Sequence, residues 1–117
     1  TDFASANLRL SAPSIGTHDT VTVHVDVRNT GSRAGADVAQ LYLHDQVASI
    51  LQPVRKLVGF QRVRLAAGQT RTLTFRIGPD QLGFYDNSGH FVLEPGGFDL
   101  YAGDSSSADL HGTLTLR

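Results

Sequence analysis

Between Thr20 and Arg28 the chain reads Thr-Val-Thr-Val-His-Val-Asp-Val-Arg, with four valines in strict alternation with polar residues. In an extended strand successive side chains point to opposite faces, so Val21, Val23, Val25 and Val27 share one face while Thr22, His24 and Asp26 share the other. A helix would scatter the same valines around its circumference. The run therefore predicts a strand with one face in a core and the other in water, a geometry that β-branched residues favour.

The rest of the chain follows the same period. Leu8-Arg9-Leu10 predicts an edge strand, ended by Pro13 and Gly16. After the turn residues Asn29 to Gly35, the segment Ala36 to His44 places Ala39, Leu41 and Leu43 on one face and Val38, Gln40 and Tyr42 on the other. Neither face is purely polar, which predicts a central strand covered on both sides, one of them by a partner. Arg55 to Val63 forms a further strand with a Gly59-Phe60 pair inside it, and a glycine within a strand marks a bulge, a bend or a close backbone approach. Leu73, Phe75 and Ile77 alternate with threonine and arginine in Thr70 to Ile77, and Phe60 and Phe75 are expected as core anchors from neighbouring strands. Phe84-Tyr85 and Phe91-Val92 flank the turn around Asn87-Ser88-Gly89 as a hairpin. Phe98 to Ala102 and Thr113 to Leu116 complete the series. No window of a dozen residues carries a helical apolar period, so the expected fold is all-β, an antiparallel two-sheet sandwich of about seven strands.

At 117 residues the chain has the size of one domain, expected to span residues 1–117, with enough interior for a core without staples. Its formal charge of −1 gives no basic excess to attract nucleic acid or an anionic membrane. The absence of cysteine removes disulfides, thiol nucleophiles and cysteine-ligated zinc, and leaves the compartment open. No apolar run approaches the ~18 residues of a membrane helix. The start at Thr1-Asp2-Phe3, without methionine or a signal pattern, reads as a soluble piece excised from something longer.

Catalytic chemistry has little to stand on. A glycoside-cleaving pair needs two carboxyl groups across a cleft, one with its pKa raised by burial. The single glutamate, Glu94, lies in a Glu-Pro-Gly turn, and Asp45, Asp80, Asp86, Asp104 and Asp109 are also read as turn residues. His24 with Asp26 and His44 with Asp45 could form a metal-binding cluster if their strands were neighbours, although solvated surface residues are the favoured reading. His18, His90 and His111 are placed in or beside turns and share no spacing. No nucleophile elbow or phosphate-binding glycine fingerprint occurs. No catalytic, cofactor-binding or metal-binding residue is therefore assigned. The three tyrosines and six phenylalanines are assigned mostly to the core rather than to a sugar-stacking platform, with Tyr85 the most ambiguous.

The connection from Gln46 to Val54 resists a bland reading, because Val47, Ile50, Leu51 and Val54 are apolar in what should be a loop. Either it folds back under its own sheet or it covers a partner, and Val47, Ile50 and Leu51 are the candidate interface residues.

Taken together, "VAQLYLHD", "SILQPVRKLVGFQRV", "LTFRI", "LGFYDNSGHFVLEPGGFDLYAG" and "DSSSADL" resemble the fibronectin type III-like domain that ends many glycoside hydrolase family 3 enzymes, the β-glucosidase and β-xylosidase group. The likeness is specific in the order of its motifs and includes Gln40-Leu41-Tyr42, Pro53-Val54, Leu57, Gly59-Phe60, Pro95-Gly96 and Ser105-Ser106. Gln52, Lys56 and Phe91 depart from the common pattern. The resemblance implies an immunoglobulin/fibronectin type III-like sandwich that serves as a non-catalytic accessory domain. It would pack on the catalytic domains of a retaining β-glycosidase, whose nucleophile and acid/base lie upstream, and lend a loop to the substrate entrance or a subunit interface. A periplasmic or secreted setting, no cofactor, and neither nucleic acid nor membrane as partner go with it. The alternative is a free-standing carbohydrate- or protein-binding module, since sandwiches host many functions.

Overall fold

A computed structural model describes residues 2–46, 55–85, 88–103 and 110–117. Its elements in order are β1 (Phe3–Leu10), β2 (Ser14–Ile15), β3 (Val21–Asn29), β4 (Gly35–Asp45), β5 (Lys56–Leu65), β6 (Thr70–Ile77), α1 (Pro79–Leu82), β7 (Phe84–Tyr85), β8 (Phe91–Val92), β9 (Gly96–Gly103) and β10 (Leu110–Leu116). Three strands form one sheet in the order β1-β3-β6, and five form the other in the order β2-β10-β9-β4-β5. Pairing is antiparallel except between the two-residue β2 and β10, and β7 with β8 makes the separate hairpin. The seven expected strands correspond to β1, β3, β4, β5, β6, β9 and β10. β7 and β8 are the expected Phe84-Tyr85 and Phe91-Val92 hairpin, and the one added strand, β2, is a two-residue ladder too short for any alternation to reveal.

Each sheet turns one apolar face inward. Val21, Val23, Val25 and Val27 of β3 with Leu73, Phe75 and Ile77 of β6 face Ala39, Leu41, Leu43, Val63, Leu65, Phe98, Leu100, Ala102, Leu114 and Leu116. At one open side of the sandwich the Gln61 side chain donates to the Thr74 carbonyl, bridging the edge strands β5 and β6. On the other, Leu8 and Leu10 of β1 lie over Gly112 of β10. Asn29 is a fully buried polar residue. Its amide donates to the carbonyls of Arg33 and Leu65, and its Oδ1 accepts from Gly31 N–H, so one side chain fixes the turn after β3 to the end of β5.

The helical turn α1 goes beyond the all-β expectation and follows β6 directly. Pro79 takes the first helical position, where its missing N–H costs nothing, and Gln81 turns back to accept the Gly78 N–H. Lys56 Nζ donates to the carbonyls of Gln81 and Gly83 at the far end, a cation placed where helix carbonyls are unsatisfied.

Phe60 departs from the expectation of a core anchor. Phe75 is buried, but Phe60 is 67% exposed. Leu41 lies opposite Gly59, and a side chain on Gly59 would meet the Phe75 ring, its Cβ 2.8 Å from Cδ1. The glycine marks a close approach that lets one phenylalanine fill the core, and its neighbour Phe60, one residue out of phase, is turned outward.

Candidate functional site

The two outer faces of the sandwich differ in chemistry. That of the β1-β3-β6 sheet is polar throughout its centre, where Asp26 accepts hydrogen bonds from Asn7, Arg9 and Thr72, and His24 lies 3.1 Å from Thr74 Oγ1. Hydrogen bonds from Asn7 and Thr72, with a smaller contribution from Arg9, hold the Asp26 carboxyl below its ordinary pKa. Sequence reading placed His24 and Asp26 on a wet face, and they lie there with separate partners.

The outer face of the five-stranded sheet is mixed and aromatic. Register carries one row across four strands, with His111 opposite Tyr101, Tyr101 opposite Tyr42 and Tyr42 opposite Leu57. The His111 and Tyr101 rings stack at 5.0 Å, and the Arg55 guanidinium sits 3.7 Å above the Tyr101 ring. Beside this row Phe60 lies opposite Gln40, whose side chain accepts the Tyr42 hydroxyl, and Val38 lies opposite Arg62.

Next to the aromatic row, Asp99 gathers three donors. His111 Nε2 is 2.9 Å from its Oδ1, Gln46 Nε2 is 2.8 Å from the same oxygen, and His44 Nδ1 is 3.5 Å from Oδ2. Burial by itself would raise the Asp99 pKa, but the hydrogen bonds from His111, Gln46 and His44 together outweigh it and hold the carboxyl below its ordinary value. A carboxylate kept ionised and occupied by three side chains is a fastener between strand ends and a poor general acid. Gln46 also donates its backbone N–H to the Gly97 carbonyl, and its side chain lies so close over Gly97 that a Cβ there would collide with it.

This cluster corrects the placement of His111 beside a turn. It lies in β10 with its partners on β9, and only strand pairing brings it to Asp99. His44 does enter a His/Asp arrangement, though with Asp99 rather than with His24 and Asp26. Among the described residues no three or more His, Cys, Asp or Glu side chains are arranged to hold a metal ion.

Aromatic residues are also distributed differently from the core assignment. Phe75, Phe84 and Phe98 are buried, whereas Phe60, Tyr85 and Phe91 are exposed and Tyr42 and Tyr101 are half-buried. Tyr85 and Phe91 pack edge to face at 5.3 Å on the β7–β8 hairpin, and the Phe91 ring lies over Gly83. The sequence candidates Val47, Ile50 and Leu51, with Pro53 and Val54, lie outside the described residues, as do Asp86, Asp104 and Asp109. The flanks of that connection are described: Gln46 is tied to Asp99 and Arg55 lies over Tyr101, so both stems join the aromatic face.

The chain matches the family model of the fibronectin type III-like domain over residues 37–106. It is 36% identical to a periplasmic β-glucosidase of Salmonella typhimurium, covering 99% of this chain and 15% of that protein. A β-xylosidase of Formosa agariphila is 38% identical over 99% of this chain and 16% of its own length. Among solved structures, a β-glucosidase from Erythrobacter marinus superposes with a TM-score of 0.95 at 38% identity, over 99% of this chain and 15% of that one. The chain thus spans about a sixth of the length of the relatives it matches.

Proposed function

Because the chain belongs to the fibronectin type III-like family, we propose that residues 1–117 form one non-catalytic accessory domain of a family 3 β-glycosidase, packing on its catalytic domains and stabilising them. The observation that carries this reading is the asymmetry of coverage: nearly all of this chain aligns, with only 15% of the Salmonella β-glucosidase. Val47, Ile50 and Leu51 are the proposed loop contacts, at a domain interface, the substrate entrance or a second subunit. The chemistry agrees, since Asp99 and Asp26, each with three side-chain partners, are both held toward the ionised form rather than raised toward a general acid. A periplasmic or secreted location fits the relative from Salmonella, and no helix among the described residues is long and apolar enough to cross a membrane.

The test is an assay of aryl β-glucosides and β-xylosides with the purified 117-residue chain and with the product of the whole reading frame that encodes it. Turnover is expected from the second only. Turnover by the short chain that disappears on replacing one of its own aspartates would overturn the reading.

A second reading, a free-standing binding module, draws support from the exposed aromatics Phe60, Tyr85 and Phe91. Titration of the short chain with gluco- and xylo-oligosaccharides separates the two, because the accessory domain is expected to leave them unbound.

A further inference from the structure

We infer that the outer face of the five-stranded sheet, centred on Leu57, Phe60 and Val38, is the surface that seats on the rest of the glycosidase, while the outer face of the β1-β3-β6 sheet faces water. The inference rests on the accessory-domain reading and specifies which surface carries it. Phe60 is 67% exposed, Leu57 46% and Val38 36%, and register places them on adjoining positions of β4 and β5. Large apolar side chains in one patch mark a contact surface, whereas the opposite face spends its positions on Asp26, His24, Thr72 and Thr74.

Size agrees with an interdomain contact. Four strands ~4.8 Å apart, each with about eight residues rising ~3.4 Å, present roughly 500 Å² in projection. Two matched faces would then bury on the order of 1,000 Å², inside the ~600–1,500 Å² of interfaces between domains of one chain. The relatives supply an occupant of sufficient size, since about five-sixths of their length lies outside this segment.

Two other occupants fit less well. A sugar would want a free ring and a deep pocket, but Tyr101 already carries Arg55 and His111. One hollow on this face among the described residues, lined by Ala36, Asp37, Val38 and Arg62, has about 230 Å³, below the ~300–1,000 Å³ of small-molecule sites and suited to a single protruding side chain. A second copy paired along β5 would meet Arg62 and Arg64 and a bulge at Val58, features that blunt an edge against pairing.

Thiol labelling decides the matter, because the chain has no cysteine of its own. In the full-length enzyme, Phe60→Cys, Leu57→Cys and, on the opposite sheet, Arg76→Cys are each exposed to a bulky maleimide in buffer and in denaturant, with labelled peptides counted by mass spectrometry. Phe60→Cys and Leu57→Cys are expected to label at least about tenfold more slowly in the native enzyme than in denaturant, and Arg76→Cys less than about threefold more slowly. Native labelling at Phe60→Cys and Leu57→Cys as fast as at Arg76→Cys would overturn the inference. If only Arg76→Cys is then protected, the domain docks by its other face and the accessory reading stands. If none is protected, and deleting the whole segment leaves the melting temperature and activity of the enzyme unchanged, the accessory reading falls as well.

Discussion

Gly59 shows how a residue without a side chain can decide where two large ones go. Its Cα faces the Phe75 ring, and even a methyl group there would lie 2.8 Å from a ring carbon. Gly59→Ala is therefore expected to cost about 1–3 kcal/mol, as overpacking does. Phe75→Ala should cost about 3–5 kcal/mol by opening a cavity, whereas Phe60→Ala on the exposed face should stay below about 1 kcal/mol. Urea midpoints of the three variants check this order, and a Phe60→Ala loss above that of Phe75→Ala would reverse the assignment of faces. Asp99 allows a test in pH. Its folded-state pKa is depressed by His111, Gln46 and His44 against the opposing effect of burial, so its contribution is present above the unfolded carboxylate value and lost as pH falls through the folded one. Below about pH 4 the native chain should thus lose stability more steeply than Asp99→Asn, which lacks that contribution at every pH. Parallel denaturation midpoints from pH 6 to pH 2 would mean that the three donors do not favour the carboxylate. Asp99 and His111 were illegible as a pair because each sits singly in its own stretch, twelve residues apart. Only the β9–β10 register makes them neighbours.

At the scale of elements, the valine strand and the Leu73-Phe75-Ile77 strand were readable because a period of two with one wet face has a single structural solution. β5 was harder, because its register against β4 shifts between Leu41 and Tyr42 and inserts Val58 as an extra residue. Parity reverses there: Val63, Leu65 and Gly59 face inward on one side of the shift, while on the other Val58 packs on the core and Leu57 is exposed. The glycine marks the irregularity in the sequence, but nothing there shows which face Phe60 takes, and the expectation of Phe60 as a core anchor fails for that reason. Short elements escaped for another reason, since α1 and the two-residue β2 are set by capping and by tertiary pairing, and neither has enough residues for a period. The bulge gives a direct test. Val58→Asp should lower the unfolding free energy by more than about 2 kcal/mol, because a carboxylate would enter the margin of the core, and Leu57→Asp should stay within about 1 kcal/mol. Equal costs at the two positions would mean that the reversal of parity is absent in solution.

At the scale of the whole molecule the sandwich is two-faced, with one outer surface polar and the other mixed and aromatic, and the described residues flanking the connection between β4 and β5 lie on the second. The described residues on either side of it, Gln46 on Asp99 and Arg55 on Tyr101, both lie on the aromatic face. Both strands it joins contribute to the core, through Leu41 and Leu43 on one side and Val63 and Leu65 on the other. The proposed contact of Val47, Ile50 and Leu51 with something beyond the domain can be tested on both the short chain and its longer parent. Replacing Ile50 and Leu51 together with serine should leave the stability of the 117-residue chain within about 1 kcal/mol, the usual limit for changes away from a core. In the proposed full-length glycosidase the same double substitution should lower the temperature at which this domain unfolds, because it removes a contact that the short chain lacks. Differential scanning calorimetry on both forms gives the comparison. A loss of several kcal/mol in the short chain would place Ile50 and Leu51 in the domain's own core and leave the sheet face to carry the contact alone. An unchanged melting temperature in both forms would remove the connection from the interface.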